Sequence, residues 1–274
     1  MEDPRAIPSE VPGLSIRRDG PVLRVALARP EKRNSLTREM IQGLLACVEN
    51  APDDESLRVI ALSGEGDHFC GGADWVAGNR GDRSERPRVA SIHRRTAREA
   101  HRLIQALLTV QLPVVCTVRG WAAGIGCHLA LASDFALATH DARFWEPFVK
   151  RGFTPDSGGT WLTTRLVGVA RAKQMLLLGR EVTGEEAASW GMIHESAEAG
   201  ELDAASEALI AELSEGATAA IGLTKYAIAR SLELPLEHAL ELEAFSLEMS
   251  SRSLDFREGL AAFQDKRDPD YKGR

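Results

Sequence analysis

Two glycine-rich segments contain the residues of this 274-residue chain that could do chemistry. Phe69–Trp75 reads Phe-Cys-Gly-Gly-Ala-Asp-Trp, and Arg119–His128 reads Arg-Gly-Trp-Ala-Ala-Gly-Ile-Gly-Cys-His. Each follows a short β-branched run, and the second opens into a helical pattern, where the first backbone N–H groups lack internal partners. Two such turns that face each other would direct two donors at one point and form an oxyanion hole. The alternative is that both are ordinary strand-to-helix turns.

Three titratable side chains are candidates for moving a proton. Asp156 lies in Pro155–Thr160, just before a predicted helix start at which Ser157 is expected to be the N-cap. It is either a general acid–base or a residue that only favours the helix dipole. His128 lies in the first turn of a predicted helix, where it either faces a pocket or is a core histidine bonded to a carbonyl. Glu146 is a lesser candidate, expected at the surface.

Taken together, the motifs resemble the crotonase superfamily, the enoyl-CoA hydratases and isomerases. Besides the two glycine-rich segments, the resemblance takes in Arg29–Thr37, Phe153–Thr160, Leu178–Ala187 with Gly191–Ile193, and Ala262–Pro269. It implies an α/β fold, a crotonase-like spiral of β-β-α units followed by a helical C-terminal region that packs against neighbouring subunits in trimers or hexamers. It also implies a coenzyme A thioester as substrate, with no permanently bound cofactor.

The resemblance assigns roles to particular residues. It implies that the oxyanion donors are the backbone N–H groups of Ala73 and Ile125, the latter standing where relatives commonly have glycine. His128 and Phe148 match the two glutamates with which typical hydratases of the family activate water. Asp156 matches the position where several isomerases and a dehalogenase of the superfamily place a catalytic aspartate. The expected catalytic set is therefore Asp156, Ala73, Ile125 and His128.

A second set of residues is expected to contact the substrate. It combines the segment similar to the family's CoA groove, the neighbours of the two donors, and the segment around Phe148: Arg33, Ser35, Cys70, Gly71, Asp74, Trp75, Gly124, Trp145, Pro147 and Phe148. A structural role in its turn is the alternative for Asp74, and core packing is the alternative for the tryptophans. Arginines between residues 80 and 102 form either a basic rim for CoA phosphates or a solvated surface.

The leading hypothesis is an enzyme that stabilises a thioester enolate and moves a double bond, with Asp156 as the acid–base. A single base that removes one proton and returns it to another carbon suits isomerisation better than hydration. The alternatives are a hydratase with an atypical water site formed by His128 and Asp156, a hydrolase acting on a ring-bearing acyl-CoA, and a catalytically silent acyl-CoA binder.

The elements that must position these residues follow from hydrophobic patterning. Four short apolar runs are predicted strands: Val22–Leu27, Arg58–Ser63, Val114–Val118 and Asp134–Ala138. They alternate with helical patterns such as Thr37–Val48, which indicates a mixed α/β core. From about residue 202 only helical spacing remains. We therefore predict a core with the acyl-CoA site over residues 1–200 and a helical region over residues 201–274.

Composition and charge narrow the class of protein. The chain is 44% hydrophobic and 27% charged, as is usual for a globular protein. Its net charge of −7 argues against a nucleic-acid partner. No apolar run approaches the roughly 20 residues of a bilayer span, and the polar N-terminus does not resemble a signal peptide, so a cytoplasmic protein without membrane contact is expected. The four isolated cysteines predict no metal site.

Overall fold

The structure, a computed structural model, describes residues 6–74 and 88–274. Trp75 and the arginines at positions 80, 83 and 86 lie outside the described residues. The described strands are β1 (Leu14–Asp19), β2 (Val22–Leu27), β3 (Val59–Gly64), β4 (Val114–Val118), β5 (Trp121–Ala123), β6 (Phe135–Thr139), β7 (Arg143–Trp145), β8 (Val182–Thr183) and β9 (Glu195–Ala197).

These strands form two sheets. The larger has the order β1-β2-β3-β4-β6-β9, and the smaller has the order β5-β7-β8. β1 and β2 form an antiparallel hairpin around Gly20, whose φ is +54°. From β2 to β9 the neighbours in the larger sheet run parallel, so their connections must cross the sheet, which places helices on its faces.

The helices of the described part alternate with the strands and then continue alone. They are α1 (Arg38–Asn50), α2 (Ser91–Arg98), α3 (Ala100–Thr109), α4 (Ile125–Ala132), α5 (Gly159–Leu178), α6 (Gly184–Ser189), α7 (Leu202–Glu215), α8 (Thr218–Ser231), α9 (Leu236–Ser250) and α10 (Leu254–Asp265). None of them has both the length and the apolarity needed to cross a membrane.

The four predicted strands are confirmed as β2, β3, β4 and β6, each to within one residue at either end. The helical C-terminal region is confirmed as α7 to α10. The division of the chain at residue 200 stays a prediction. Ser157 as an N-cap is wrong, because α5 is preceded by Gly158 and Ser157 itself has a left-handed φ of 47°. The chain turns too tightly there for the Ser157 hydroxyl to cap the helix.

The core lies on both faces of the larger sheet. On one face, α1, α3, α4 and α5 cover the apolar side chains of the strands, with Leu23, Ile60 and Cys116 fully or almost fully buried. On the other face a smaller cluster joins Val59 and Val115 to Leu202 and Ile210 of α7. This packing holds the carboxyl ends of the parallel strands in place, and the two glycine-rich segments extend from those ends.

The last two helices leave apolar side chains uncovered. No residue of α9 is buried, and α10 buries only Asp255 and Ala262. Large apolar side chains on this surface are 43% exposed or more: Leu236, Leu240, Phe245, Leu247, Met249, Leu254, Phe256, Leu260 and Phe263. An apolar surface of this extent is typical of a face that contacts another protein.

Candidate active site

A parallel bridge between Cys70 and Ala122 sets the two glycine-rich segments side by side. Backbone hydrogen bonds of 2.7 and 2.9 Å close the bridge. Ala73 and Ile125 each lie three residues beyond this pair, so the bridge places them in equivalent register. The two expected oxyanion donors therefore come together at one end of the smaller sheet.

A glycine with positive φ precedes each expected donor. Gly72 has a φ of +100° and Gly124 a φ of +53°, which L side chains rarely adopt. A Cβ on Gly72 would also lie only 3.1 Å from the carbonyl oxygen of Ala123. Glycine at both positions therefore lets the backbone turn immediately before Ala73 and Ile125.

Both N–H groups are left available by the local hydrogen bonding. Leu36 donates to the Gly72 carbonyl at 2.8 Å and accepts from the Asp74 N–H at 2.9 Å, so the N–H of the intervening Ala73 points away from Leu36. Ile125 is the first residue of α4, where an N–H has no partner within the helix. Within the described residues, neither N–H has a hydrogen-bond acceptor.

The two segments touch at Gly126 and Cys70. A Cβ on Gly126 would lie 2.5 Å from the Cys70 Cβ and 2.7 Å from its carbonyl oxygen. Any side chain at this position would push α4 away from the segment that carries Ala73. Gly126 therefore fixes the separation between the two donors.

The donors open into a cavity of about 380 Å³. Its walls come from α1, from the α2–α3 region, from both donor segments and from the turn before α5. A much narrower cavity of about 30 Å³ continues between Gly72, Gly124 and two aromatic rings, Phe148 and Phe153. Ala73, Ile125 and Asp156 line both spaces, so the two expected donors and the expected acid–base share one site.

A tight turn presents Asp156. Ser157 and Gly158 both have positive φ, and the Gly159 N–H donates to the Asp156 carbonyl at 2.9 Å. The Asp156 side chain is half-buried, and within the described residues its carboxylate makes no hydrogen bond or ion pair. It is also the sole carboxylate among the described residues that line the narrow cavity. Asp156 can therefore exchange a proton with a molecule bound there.

His128 lies behind the site and lines neither cavity. Its side chain is completely buried, and its Nε2 is 3.0 Å from both carboxylate oxygens of Glu146. The expectation that Glu146 lies at the surface is wrong, since Glu146 is also completely buried. Its partner stands 18 residues away in sequence, and no local pattern around Glu146 indicates that pairing.

Phe148 closes the narrow cavity. It is 4% exposed, stacks on the His128 ring at a centroid distance of 5.8 Å, and meets Phe153 edge-on at 5.4 Å. Neither position that matches a hydratase glutamate therefore offers a carboxylate to the cavity. Apart from Arg151 and Asp156, the residues that line the narrow cavity are glycines and apolar or aromatic residues.

Four of the predicted residues mainly join the segment that carries Ala73 to the chain before α1: Arg33, Ser35, Gly71 and Asp74. Asp74 pairs with Arg29 at 3.2 Å, and Arg29 also donates to the Ser35 carbonyl at 2.7 Å. The Arg33 carbonyl accepts from the Gly71 N–H at 2.7 Å. Asp74 lines the larger cavity and Gly71 the narrow one, whereas Arg33 and Ser35 line neither.

The remaining predicted residues divide in the same way. Gly124 and Pro147 line the narrow cavity. Cys70 is fully buried, and burial raises the pKa of its thiol to about 12. Trp145 lines neither cavity, because its indole N–H donates to the Gly179 carbonyl at 3.1 Å and its ring lies 5.6 Å from that of Trp121.

Sequence reasoning missed an ion pair in the wall of the larger cavity. The Arg38 Nε lies 2.6 Å from the Oε1 of Glu99, and Gln42 donates to the same oxygen at 3.3 Å. Glu99 is 9% exposed and separates α2 from α3 with non-helical backbone angles. The two partners are 61 residues apart, so only the tertiary structure brings them together.

The arginine-rich segment contributes to the site only in part. Arg95 is exposed and lines the larger cavity. Arg102 instead pairs with Glu49 at 2.6 Å on the outer side of α3. In the described part of this segment, the Arg95 guanidinium therefore lies at the cavity, whereas that of Arg102 forms a surface ion pair.

Comparison with known proteins gives a consistent result. A family model described as enoyl-CoA hydratase/isomerase matches residues 17–274. The chain is 36% identical to a 1,2-epoxyphenylacetyl-CoA isomerase of Escherichia coli K12 over 92% of this chain and 95% of that one. It is 38% identical to a "Probable enoyl-CoA hydratase" of Rhodobacter capsulatus over 91% and 94%. An enoyl-CoA hydratase structure from Bacillus anthracis superposes with a TM-score of 0.88 at 26% identity, over 96% of this chain and 100% of the other.

Proposed function

Because this chain belongs to the enoyl-CoA hydratase/isomerase family of the crotonase superfamily and has that superfamily's fold, we propose that it moves the double bond of an enoyl-CoA thioester, with Asp156 as the acid–base. One observation carries the proposal. Asp156 is the carboxylate that shares the narrow cavity with Ala73 and Ile125, whereas the two positions of the hydratase glutamates hold His128 and Phe148.

The reaction begins when the thioester oxygen accepts hydrogen bonds from the Ala73 and Ile125 N–H groups. These donors are already in place, so they stabilise the negative charge that develops on the oxygen as the α-carbon loses a proton. For a 3-enoyl thioester, the Asp156 carboxylate takes that proton and leaves a dienolate. The Asp156 carboxylic acid then protonates the γ-carbon, which gives the 2-enoyl thioester and restores the carboxylate.

The atoms of this reaction balance within the substrate and one side chain. One C–H bond breaks at the α-carbon, one forms at the γ-carbon, and the double bond moves by one position. The same carboxylate serves both half-reactions, which needs only that it reach both carbons from one face. No further cofactor enters the balance.

Hydration has less support than isomerisation. Adding water requires groups that hold the water and accept its proton, and neither matching position supplies one at the cavity. His128, the proposed partner of Asp156 in an atypical water site, faces Glu146 rather than the substrate space. Phe148 cannot exchange a proton.

Two further features of the proposal concern binding. We assign the CoA phosphates to the side of the larger cavity formed by α2, where the exposed Arg95 lies. We also propose that the exposed apolar surface of α9 and α10 is covered by further copies of the chain, in a trimer or hexamer. Sedimentation velocity should then give a species of three or six chains, and a monomer at micromolar concentration would contradict the assembly.

The test is mass spectrometry of 2-enoyl-CoA and 3-enoyl-CoA panels incubated with the protein in heavy water. We expect products of unchanged composition except for deuterium, with the double bond moved, and a loss of at least about 10²-fold in rate for Asp156→Asn. Asp141→Asn, a change in a turn outside both cavities, is the matched control. A mass gain of one water would identify a hydratase. Tight binding without any turnover would identify a silent binder.

A further inference from the structure

A buried polar cluster lies directly behind the candidate active site. His128 and Glu146 are both completely buried, and the imidazole Nε2 is 3.0 Å from each carboxylate oxygen. Cys127 is the third member, because burial and the neighbouring Glu146 carboxylate both raise the pKa of its thiol. Buried charged and polar groups are costly unless they are fully paired, so a cluster in this position needs an explanation.

The hydrogen-bonding pattern indicates which proton His128 carries. The Nδ1 atom is buried and has no partner among the described residues. An imidazolium would leave an N–H at Nδ1 without an acceptor, whereas a neutral ring with its proton on Nε2 donates that proton to Glu146. Glu146 then accepts from His128 beside the first turn of α4, where the helix dipole favours a negative charge.

The pair connects the elements that carry the Ile125 donor and Asp156. His128 is in the first turn of α4, which begins at Ile125. Its ring edge lies against the backbone at Gly159, where a Cβ would be 2.5 Å from Nε2, and Gly159 follows Asp156 by three residues. Glu146 follows β7, whose last residue Trp145 accepts a hydrogen bond of 2.8 Å from the Gly124 N–H.

The pair also supports the wall of the narrow cavity. The Phe148 ring is stacked on the His128 ring with an angle of 3° between the planes. Phe148 in turn lines the cavity together with Ile125 and Asp156. A rotation of the imidazole would therefore move both the aromatic wall and the turn that presents Asp156.

We propose that His128 and Glu146 are a positioning pair, whose buried hydrogen bond fixes the Ile125 donor, the Phe148 wall and the Asp156 turn relative to one another. The inference rests on the proposed function, because it assumes that a thioester binds at the two donors. A directional bond between two rigidly packed side chains sets an angle, which apolar contacts of the same volume do not. Displacement of a reacting group by about 1 Å can cost about 10²-fold in rate, so this alignment matters for turnover.

The experiment separates positioning from simple core filling. The variants are His128→Leu, the double variant His128→Leu with Glu146→Leu, and the pair His128→Gln and His128→Asn. A Gln amide nitrogen can reach the place of the imidazole Nε2, whereas an Asn amide is too short. His140→Leu is the matched control, since His140 also makes a side-chain hydrogen bond, to Ser196 at 3.0 Å, but lines no described cavity.

Two readouts are taken on each folded variant. The first is kcat and KM for a 3-enoyl-CoA. The second is the absorption of bound cinnamoyl-CoA, a conjugated thioester whose band moves to longer wavelength when its carbonyl accepts strong hydrogen bonds. The absorption shift reports the oxyanion geometry whether or not the protein isomerises its substrate.

We expect His128→Leu to lower the Tm strongly, because it leaves a buried carboxylate without its partner. The double variant should recover most of the Tm, yet keep a smaller absorption shift and a kcat reduced at least about 10-fold with little change in KM. His128→Gln should retain most of the shift that His128→Asn loses, and His140→Leu should retain all of it.

Particular results would overturn the inference. A double variant with the wild-type shift and kcat would show that the pair only fills space. If the double variant does not fold, equal absorption shifts for His128→Gln and His128→Asn would also show that the pair only fills space. A wild-type protein that shifts the cinnamoyl-CoA band but isomerises nothing would refute the proposed reaction alone. A wild-type protein that gives no shift would refute both.

Discussion

Cys70 and Ala122 pair in a parallel bridge, and this one contact places Ala73 and Ile125 in equivalent positions on neighbouring segments. Each of these two proposed donors follows a glycine with positive φ, and the two segments touch where Gly126 meets Cys70. The proposed oxyanion hole is thus formed by backbone groups rather than by side chains. Its geometry depends on the positions where only glycine fits.

Replacing Ile125 by proline should remove one donor while leaving α4 largely intact. Ile125 is the first residue of that helix, where proline is tolerated because the N–H has no helical partner. We expect kcat to fall by about 10²–10³-fold with a small change in Tm. Steady-state kinetics of Ile125→Pro are compared with those of Ile125→Val, which keeps the N–H and a β-branched side chain. If the kcat of Ile125→Pro were within threefold of that of Ile125→Val, the N–H of Ile125 would not be an oxyanion donor.

Gly126→Ala should separate the two donor segments. Its Cβ would lie 2.5 Å from the Cys70 Cβ and 2.7 Å from the Cys70 carbonyl oxygen, so the backbone of α4 must move. We expect a lower Tm and a loss of kcat of at least about 10-fold, because the catalytic groups would be misaligned. Gly200→Ala is the control, because a Cβ there would meet nothing within 4 Å. Equal kinetics for the two alanine variants would contradict the contact.

The buried thiols predict a loss of stability at alkaline pH. Burial raises the pKa of Cys47 and of Cys70 from about 9 to about 12. Between these values the unfolded chain releases the thiol proton and the folded chain keeps it. The free energy of unfolding should therefore fall, by about 1.4 kcal/mol per pH unit for each thiol.

Urea unfolding between pH 8 and pH 11 measures this effect. Cys47→Ala removes one of the thiols, so its unfolding free energy should fall less steeply above pH 9 than that of the wild type, whatever its stability at pH 8. If the unfolding free energies of both proteins fell equally steeply with pH, the raised pKa of Cys47 would be contradicted. A thiol reagent at pH 8 should likewise label Cys47 and Cys70 only as fast as the chain opens.

Arg95→Gln should weaken substrate binding without changing the chemical step. Arg95 lines the larger cavity and is exposed, so its guanidinium is available to a phosphate. We expect KM for an enoyl-CoA to rise several-fold at low salt and kcat to stay nearly constant. Arg102→Gln is the comparison, because Arg102 pairs with Glu49 outside the cavity. Identical KM values for the two variants would place the CoA phosphates elsewhere.

The fold and the two glycine turns of the candidate site could be predicted because their signals are local. Runs such as Val22–Leu27 and Val114–Val118 are mostly apolar over one strand length, and most of their residues lie in the core. The glycines at positions 72 and 124 mark turns that other residues adopt only with strain. The motif around Asp156 could likewise be placed by its resemblance to relatives.

What could not be predicted depends on contacts between distant segments. Glu146 stands between an aromatic residue and a proline, and nothing in that context indicates burial against His128. The Arg38–Glu99 pair joins α1 to the junction of α2 and α3. Ser157 has the chemistry of an N-cap, yet the tight turn that exposes Asp156 gives it a left-handed backbone instead. In each case the role of the residue is set by tertiary packing and differs from the role that its residue type suggests.

In the proposed reaction, Asp156 transfers protons to and from an acyl group held at the Ala73 and Ile125 amides. A crystal structure of Asp156→Asn with a bound 3-enoyl-CoA tests it most directly, because the variant should bind the substrate without converting it. We expect the thioester oxygen about 2.7–3.1 Å from both backbone nitrogens and the substituted side chain at position 156 against the α- and γ-carbons. An acyl group bound with its carbonyl away from these amides, or with the side chain at position 156 facing neither carbon, would contradict the account.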